Sequence, residues 1–432
     1  MIFNDVNKFI VRFFILLSLV IILISCSVDQ DLDVNNSKNY SNSNKNEMIT
    51  FIDVEEIGDI AVKIIFPEEP KYDYGAPVVV GVSTFLTGEK GFIHEIGVEE
   101  EGFVYITYLW PGMEDNIAGV SSDGEYDYGG EDCQLALKEV ILFALGEKED
   151  VKGNIINDHY DTLNDNVGLY AFSHPGVISI NTLSIYSEEL SNVAWFVGRE
   201  NPTNDEIFAV ELGYVKTEAT PYYSYPEDYD PYDLEIDFSL ANYDYNLSVV
   251  FFDENDNNIL NEDEFRLTTF GPTAYDERYY SVDLTTVLDQ KLDIWPEGVA
   301  TLEEVGPFWP IRTTVSENHD YYLGLNSDLN VILIFAGSEH VQPFDDKPSI
   351  HQAYDGFTRS GNWIRLNPDS AYLSFSTDNY ANSQPGNWSD AVNWAYQDLP
   401  SGTKLAPIAA LNEITDRTYY DNWEDNLDDV LS

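Results

Sequence analysis

The chain has 432 residues, of which 44% are hydrophobic and 14% aromatic, so it can bury a large core. Against 77 Asp and Glu residues stand 21 Lys and Arg residues, and the formal net charge of −56 excludes nucleic acid or anionic lipid bound through a basic face. The two cysteines exclude a disulfide framework.

Residues 1–25 have the pattern of an export signal rather than of a folded segment. A positively charged start precedes an apolar run at residues 13–24, which is too short to span a bilayer well. The run ends in Leu-Ile-Ser-Cys at residues 23–26, a string that resembles a prokaryotic lipobox. The resemblance implies a lipid anchor on Cys26 and an extracytoplasmic, envelope-bound protein that meets the membrane only through this anchor. The alternative is an uncleaved anchor helix.

Residues 26–47 are rich in Asn, Ser and Asp and have no hydrophobic period, so we predict a flexible tether there. With Cys26 lipidated, the second cysteine, Cys133, has no partner, and we expect it to be structural.

From residue 48 onward, short apolar runs alternate with helical stretches. Several runs are apolar on both faces, which is typical of a parallel sheet covered on both sides. The alternation predicts an α/β fold with a doubly wound, mostly parallel sheet. The predicted strands span residues 61–67, 78–83, 104–110, 167–172, 193–197, 331–336 and 363–366, and the predicted helices span 132–144, 177–186, 301–315 and 348–358.

Residues 216–300 interrupt this alternation and are crowded with Tyr, Asp and Pro. We interpret them as an inserted cap over the carboxyl edge of the sheet, where ligands bind in such folds. The core is then formed by residues 48–215 and 301–432, and the second part ends in a C-terminal tail whose pattern is loose.

A serine lies at a predicted strand-to-helix turn, within Gly-Leu-Tyr-Ala-Phe-Ser-His-Pro-Gly at residues 168–176. This segment resembles the nucleophile elbow of the α/β-hydrolase family, in which a tight turn holds a serine above the sheet. The usual G-x-S-x-G pattern reads Ala-Phe-Ser-His-Pro here, and Gly176 follows one residue late. The resemblance implies that Ser173 is the nucleophile and that backbone amides at His174 and Thr84 form an oxyanion hole. The alternative is that Ser173 only caps the following helix.

A serine nucleophile needs a base, usually a histidine that a carboxylate orients. The family order is serine, acid, histidine, with the acid after the strand that follows the cap. The resemblance therefore points to Glu339 as the acid, with Asp205 as an alternative. No histidine follows the strand predicted at 363–366, so the candidate bases are His351 and His340. Both are expected near the correct edge of the sheet, and we place His351 ahead of His340.

The departure from the family pattern lies at residues 367–369, where Asn-Pro-Asp stands in the place of the family's histidine. Either the base has moved to another segment or the site is inactive. The sequence thus leaves two functions open. One is a serine hydrolase that cleaves an ester, acyl or peptide bond in a small molecule or peptide. The other is an inactive surface binding protein with the same fold.

Residues 253–264 resemble the twelve-residue EF-hand loop, which binds calcium through oxygen ligands. Asn258 stands where glycine is usual, and asparagine tolerates the left-handed conformation better than most residues. A strand rather than a helix is predicted before the loop, at 248–252, so we expect a lone structural loop of strand–loop type. Asn258 in place of glycine and amide side chains in place of carboxylates indicate a weak calcium site. The alternative is an acidic surface turn. The ligands implied are the side chains of Asp253, Asn255, Asn257, Asn261 and Glu264 and the carbonyl of Ile259.

Overall fold

One eight-stranded sheet forms the centre of the protein, here in a computed structural model. The structure describes residues 46–83, 91–93, 96–127, 129–173, 175–201, 237–261, 264, 273–274, 277–278, 280, 282–308, 320–334, 348–372 and 405–423, all within one compact unit. The strands are β1 (Asn46–Val54), β2 (Gly58–Phe66), β3 (Ala76–Val82), β4 (Val104–Tyr108), β5 (Thr162–Phe172), β6 (Trp195–Arg199), β7 (Asn330–Ile334) and β8 (Ile364–Leu366).

The strands lie in the order β1-β2-β4-β3-β5-β6-β7-β8. β2 runs antiparallel to both of its neighbours, and the other five adjacent pairs are parallel. Every residue of β3 is buried, as expected for a central strand covered on both faces. All seven predicted strands are present, and the prediction of a mostly parallel sheet is confirmed.

Strand β1 is not among the predicted strands, and the predicted tether overlaps its first two residues. It forms a nine-residue antiparallel ladder with β2 at the edge of the sheet. Its apolar residues lie on both faces, and one inward position holds the buried Thr50. The two-residue alternation that identifies a half-buried strand is therefore blurred. The predicted export signal, Cys26 and the rest of the tether lie outside the described residues.

Helices cover both faces of the sheet, so the doubly wound arrangement is also confirmed. One face packs against α1 (Glu131–Ala144), α2 (Pro175–Ile185) and α6 (Pro348–Ser360), and the other packs against α7 (Leu405–Tyr420). The remaining α-helices of the described chain are α3 (Val282–Lys291), α4 (Leu302–Phe308) and α5 (Asp320–Leu323), and short 3₁₀ turns span Val98–Glu101, Ile156–Asp158, Phe238–Leu240 and Ser370–Tyr372. No helix in the described ranges is long and apolar enough to cross a membrane.

Two helical predictions need comment. The helix predicted at 301–315 is present as α4, and residues 309–319 lie outside the described part of the chain. Helix α7 was not predicted, because the C-terminal region was interpreted as a loosely patterned tail. Its buried positions include Glu413, Thr415 and Arg417 among alanines and isoleucines, so no apolar stripe marks it as amphipathic.

The region interpreted as a cap contains a hairpin of Ala241–Asp244 with Val249–Phe252, a short pair of Thr273–Ala274 with Glu277–Arg278, and α3. The strand predicted before the calcium loop is confirmed by this hairpin. The covering role of the region stays a prediction, since residues 202–236 lie outside the described ranges. Outside this region, Glu114–Asp115 pairs with Val120–Ser121 in a short antiparallel hairpin.

Cys133 lies in the first turn of α1, is fully buried and has no disulfide partner. Burial raises the pKa of its thiol well above the ordinary value, so the group stays a neutral thiol at physiological pH. This agrees with the expected structural role.

Candidate active site

Ser173 lies directly beyond the carboxyl end of β5, at the turn into α2. Its φ angle is 60°, in the left-handed region that a non-glycine residue adopts only when its surroundings enforce it. Its N–H donates to the carbonyl of Arg199 at 2.7 Å, and its own carbonyl accepts from the N–H of Gly176 at 3.0 Å. A capping serine has extended backbone angles, so this geometry favours the elbow over the capping alternative.

Small residues are needed where the turn meets the neighbouring strand. A Cβ on Gly176 would lie 2.2 Å from the side chain of Asn201, which is buried just beyond β6. Glycine at this position therefore permits the close approach, although it stands one residue later than in the family pattern. Pro175 begins α2, where a backbone N–H has no partner inside the helix.

Asn201 is a site residue that the sequence analysis missed. Its Nδ2 donates to the carbonyl of Ser173 at 2.7 Å, so its side chain is part of the turn. The one signal in the sequence is a polar residue that directly follows a buried strand. This signal points to the turn at Ser173 only when β6 is known to lie beside β5.

Four parallel strands, β3, β5, β6 and β7, precede predicted site residues and end at the same edge of the sheet. β3 precedes Thr84 and pairs with β5 on one side, and β6 precedes Asp205 and pairs with β5 on the other. β7 pairs with β6 and precedes Glu339 and His340. Parallel strands present their carboxyl ends at one edge, so β3, β6 and β7 end at the edge of the sheet that holds Ser173. Thr84, His174, Asp205, Glu339 and His340 themselves lie outside the described residues.

His351 lies in the first turn of α6, and its backbone is described while its side chain is not. Helix α6 leads from the carboxyl end of β7 to the amino end of β8, so its first turn lies toward the edge that holds Ser173.

His159 lies far from the candidate nucleophile. It follows the 3₁₀ turn at Ile156–Asp158 and precedes β5, so it lies near the amino end of the strand whose carboxyl end leads into Ser173. Its Nε2 is 3.5 Å from Oδ2 of Asp150. This position excludes His159 as the base for Ser173.

The loop after β8 is held by backbone and ion-pair contacts. Asn367 has a φ of 63°, and its N–H donates to the carbonyl of Leu333 at 2.6 Å. Oδ2 of Asp369 lies 3.0 Å from Nη1 of Arg365, and the N–H of Asp369 donates to Oε2 of Glu413 on α7 at 2.5 Å. No histidine follows residue 351 in the sequence, so this loop supplies no imidazole.

The predicted calcium loop is described at residues 253–261 and at Glu264. Asn258 has a φ of 60°, which confirms the left-handed conformation expected where glycine is usual. Asp253 and Glu264, the first and last ligand positions, are both buried. The carboxylate of Asp253 accepts the backbone N–H groups of Asn257 at 3.0 Å and of Asn258 at 2.7 Å.

The other end of the loop closes onto Glu264. Its oxygens accept from Nδ2 of Asn255 at 2.9 Å and from the N–H of Asn261 at 2.8 Å, and Nδ2 of Asn261 also donates to the carbonyl of Ile259. These hydrogen bonds link Asn255, Asn261 and Ile259 to Glu264, and oxygen ligands of this kind are the ones that Ca²⁺ prefers. Within the described ranges no group of three or more His, Cys, Asp or Glu side chains is arranged to hold a metal ion. The predicted ligand positions of this loop include two carboxylates, Asp253 and Glu264.

No known protein family matches the sequence, and no curated protein matches it. Among solved structures, an esterase of Pyrococcus furiosus is similar at a TM-score of 0.37 and 12% identity, covering 75% of this chain and 81% of that one. A fungal esterase from Rhizomucor miehei gives a TM-score of 0.42 and 12% identity, covering 86% and 84%. An acylaminoacyl peptidase of Pyrococcus horikoshii gives 0.37 and 11%, covering 74% of this chain and 36% of that one.

These similarities are too low to carry an argument, so the assignment of the fold rests on the sheet itself. Its strand order, its antiparallel second strand and the left-handed serine after the fifth strand together define the arrangement. The chain has a doubly wound α/β fold with a mostly parallel sheet, which is α/β-hydrolase-like in its arrangement.

Proposed function

We propose that the protein is a serine hydrolase that cleaves a carboxylic ester, another acyl bond or a peptide bond in a small molecule or peptide. The observation that carries the proposal is the backbone of Ser173, held at a φ of 60° at the carboxyl end of the central strand β5. A left-handed non-glycine residue costs roughly 1–3 kcal/mol and persists where the surrounding structure enforces it, which is common at active sites.

In the proposed reaction, Oγ of Ser173 attacks the acyl carbon while a base removes its proton, and a tetrahedral oxyanion forms. The backbone amides at His174 and Thr84 donate to this oxyanion. The conjugate acid of the base then protonates the leaving group. Water next attacks the acyl-enzyme with the same base, and Ser173 is released.

His351 is the proposed base, with His340 as the alternative, and Glu339 or Asp205 orients the imidazole. The position of the first turn of α6 toward the edge that holds Ser173 supports His351. The route of β7 to that same edge supports Glu339.

Labelling with a fluorophosphonate probe tests the proposal. Folded wild-type protein with calcium present is expected to form one adduct, which peptide mass spectrometry assigns to Ser173. The adduct is lost in Ser173→Ala and retained in Ser179→Ala, a buried serine on α2 whose hydroxyl donates to the carbonyl of Pro175. Folded wild-type protein without an adduct contradicts the hydrolase proposal.

The loop after β8 favours a second candidate function, an inactive surface binding protein with the α/β-hydrolase fold. Where the family has its histidine, this chain has Asn367 and Asp369, and Asp369 pairs with Arg365. A binding protein of this kind is expected to fold normally and to remain unlabelled.

We also propose that the loop at 253–264 binds calcium as a structural ion, supported by its oxygen ligands and by the left-handed Asn258. The ligands are those named above, and the ion would fix the loop at the end of the hairpin.

We further propose that Cys26 carries a lipid and anchors the protein to the cell envelope on the extracytoplasmic side, supported by the lipobox-like string before it. In a bacterial expression host, Cys26→Ser is expected to abolish incorporation of labelled palmitate and to shift the protein from the membrane fraction. Equal incorporation in this variant would contradict the anchor.

A further inference from the structure

The side chain of Asn201 joins the ends of the two central strands to the nucleophile. The residue is 5% exposed, and its Nδ2 lies within hydrogen-bond distance of three backbone carbonyls. These belong to Ala171 on β5 at 3.2 Å, to Ser173 at 2.7 Å and to Arg199 at the end of β6 at 3.1 Å. The NH₂ group of one side chain thus donates to carbonyls of β5, of the turn after β5 and of the neighbouring strand β6.

The three acceptors determine how the amide is oriented. Only the NH₂ group can donate to carbonyls, so Oδ1 must point the other way, where it is buried and makes no hydrogen bond to any described residue. Gly198 leaves space for this oxygen, because a Cβ at residue 198 would lie 2.0 Å from Oδ1 of Asn201. A buried oxygen without a donor carries a free-energy cost, so fold stability alone is a poor reason for an asparagine here.

We propose that Asn201 is a positioning residue for the hydrolase reaction, an inference that rests on the proposed function of Ser173. Its shortest hydrogen bond holds the carbonyl of Ser173. A trans peptide unit is planar with its N–H opposite its C=O, so fixing that carbonyl also fixes the direction of the N–H that follows it. That N–H is the amide proposed to donate to the oxyanion. Asn201 therefore orients the nucleophile and one oxyanion donor together.

The test measures fluorophosphonate labelling of the full chain, with calcium, as a function of probe concentration. This separates the maximal labelling rate from the half-saturating probe concentration. Asn201→Ala is expected to lower the maximal rate about 10- to 100-fold, the loss that a small misplacement of reacting groups causes, and to change the half-saturating concentration less than about threefold.

Asn362 provides the matched control, since it is also buried and its Oδ1 also lacks a hydrogen bond within the described part of the chain. Its Nδ2 bridges the carbonyls of Asn326 at 2.6 Å and Leu329 at 2.9 Å, beyond the opposite end of the sheet from Ser173. Asn362→Ala is expected to lower the thermal unfolding midpoint as Asn201→Ala does, and to label at the wild-type rate.

The outcomes separate the two proposals. If wild-type protein labels and folded Asn201→Ala labels equally fast, the positioning role is overturned and the hydrolase proposal stands. Slowing of Asn362→Ala to the same extent also overturns it, because the effect would then be general destabilisation. If Asn201→Ala does not fold, Asn201→Leu takes its place, because leucine has a similar volume and no donor, and wild-type labelling by that folded variant overturns the role as well. Wild-type protein without any adduct removes both proposals.

Discussion

Arg365 on β8 and Glu413 on α7 form a buried ion pair, with 2.7 Å between Nη1 and Oε1. The same oxygen accepts from Nε of Arg417 at 2.9 Å, and Oδ2 of Asp369 lies 3.0 Å from the same Nη1 of Arg365. Burial alone would lower the pKa of the Arg365 guanidinium. The nearby carboxylates of Glu413 and Asp369 have the larger combined effect, so the pKa is raised. Two cations and two anions thus balance one another between the last strand and the last helix.

Glu413→Gln is expected to lower the free energy of unfolding by about 3–5 kcal/mol, because it removes the buried carboxylate that the guanidinium groups of Arg365 and Arg417 both contact. Urea unfolding at neutral pH measures the change. Glu303→Gln on the exposed side of α4 is the control and is expected to change stability by less than about 0.5 kcal/mol. A loss at Glu413 as small as that of the control would show that the ion pair contributes little.

Calcium is expected to stabilise the protein through the loop at 253–264. If the site binds with a dissociation constant of about 1 mM, in the range of extracellular modules, 10 mM calcium adds roughly 1.4 kcal/mol. Glu264→Gln removes the last ligand carboxylate and is expected to abolish the calcium-dependent rise in the unfolding midpoint. Asp256→Asn, an exposed and left-handed position between ligand positions, is expected to keep it. An equal calcium effect in wild type and Glu264→Gln would locate the ion elsewhere.

The proposed base is tested by comparing histidine variants on a neutral p-nitrophenyl ester. His351→Ala is expected to lower kcat by about 10²–10⁴-fold, the usual contribution of a positioned general base. His340→Ala and His159→Ala are expected to retain most of the activity, the latter because His159 lies near the amino end of β5. Loss in His340→Ala with retention in His351→Ala would reverse the assignment, and full activity in both would exclude both residues.

The sequence predicted the parts of the fold that local patterns encode. Buried strands such as β3 and β7 consist of apolar runs on both faces, and α1, α2 and α6 follow with little shift at their ends. The turn at Ser173 was predicted because small residues around a serine between a strand and a helix form a local signal.

The contacts that hold the site were not predicted, because they join segments that are far apart in the sequence. Asn201 reaches a carbonyl 28 residues earlier, and Glu413 pairs with an arginine 48 residues earlier. Helix α7 was missed for a related reason, since its buried Glu413 and Arg417 are compensated by each other and by β8. Such polar residues resemble a solvated tail until the partner strand is known.

The last prediction concerns Asp150, whose buried carboxylate accepts the hydroxyl of Thr50 at 2.7 Å and the N–H groups of Lys152 and Asn154. Burial alone would raise the pKa of Asp150, but the hydrogen bonds and the nearby His159 together lower it below the ordinary value of 3.8. A lowered folded-state pKa stabilises the fold above the pKa of the unfolded chain, near 4, and this stability is lost as the pH falls through the lower folded value. The difference in unfolding free energy between wild type and Asp150→Asn is therefore expected to be roughly 1.5–3 kcal/mol at pH 7, the usual contribution of hydrogen bonds to a charged group. The difference should shrink steadily below about pH 4.

Urea unfolding of wild type and Asp150→Asn at pH 7, 5, 4 and 3 measures this difference. Thr50→Val should weaken the pH dependence and Thr50→Ser should keep it, since the serine retains the hydroxyl. A difference that stays constant from pH 7 to 3 would mean that the carboxylate is not held as an anion.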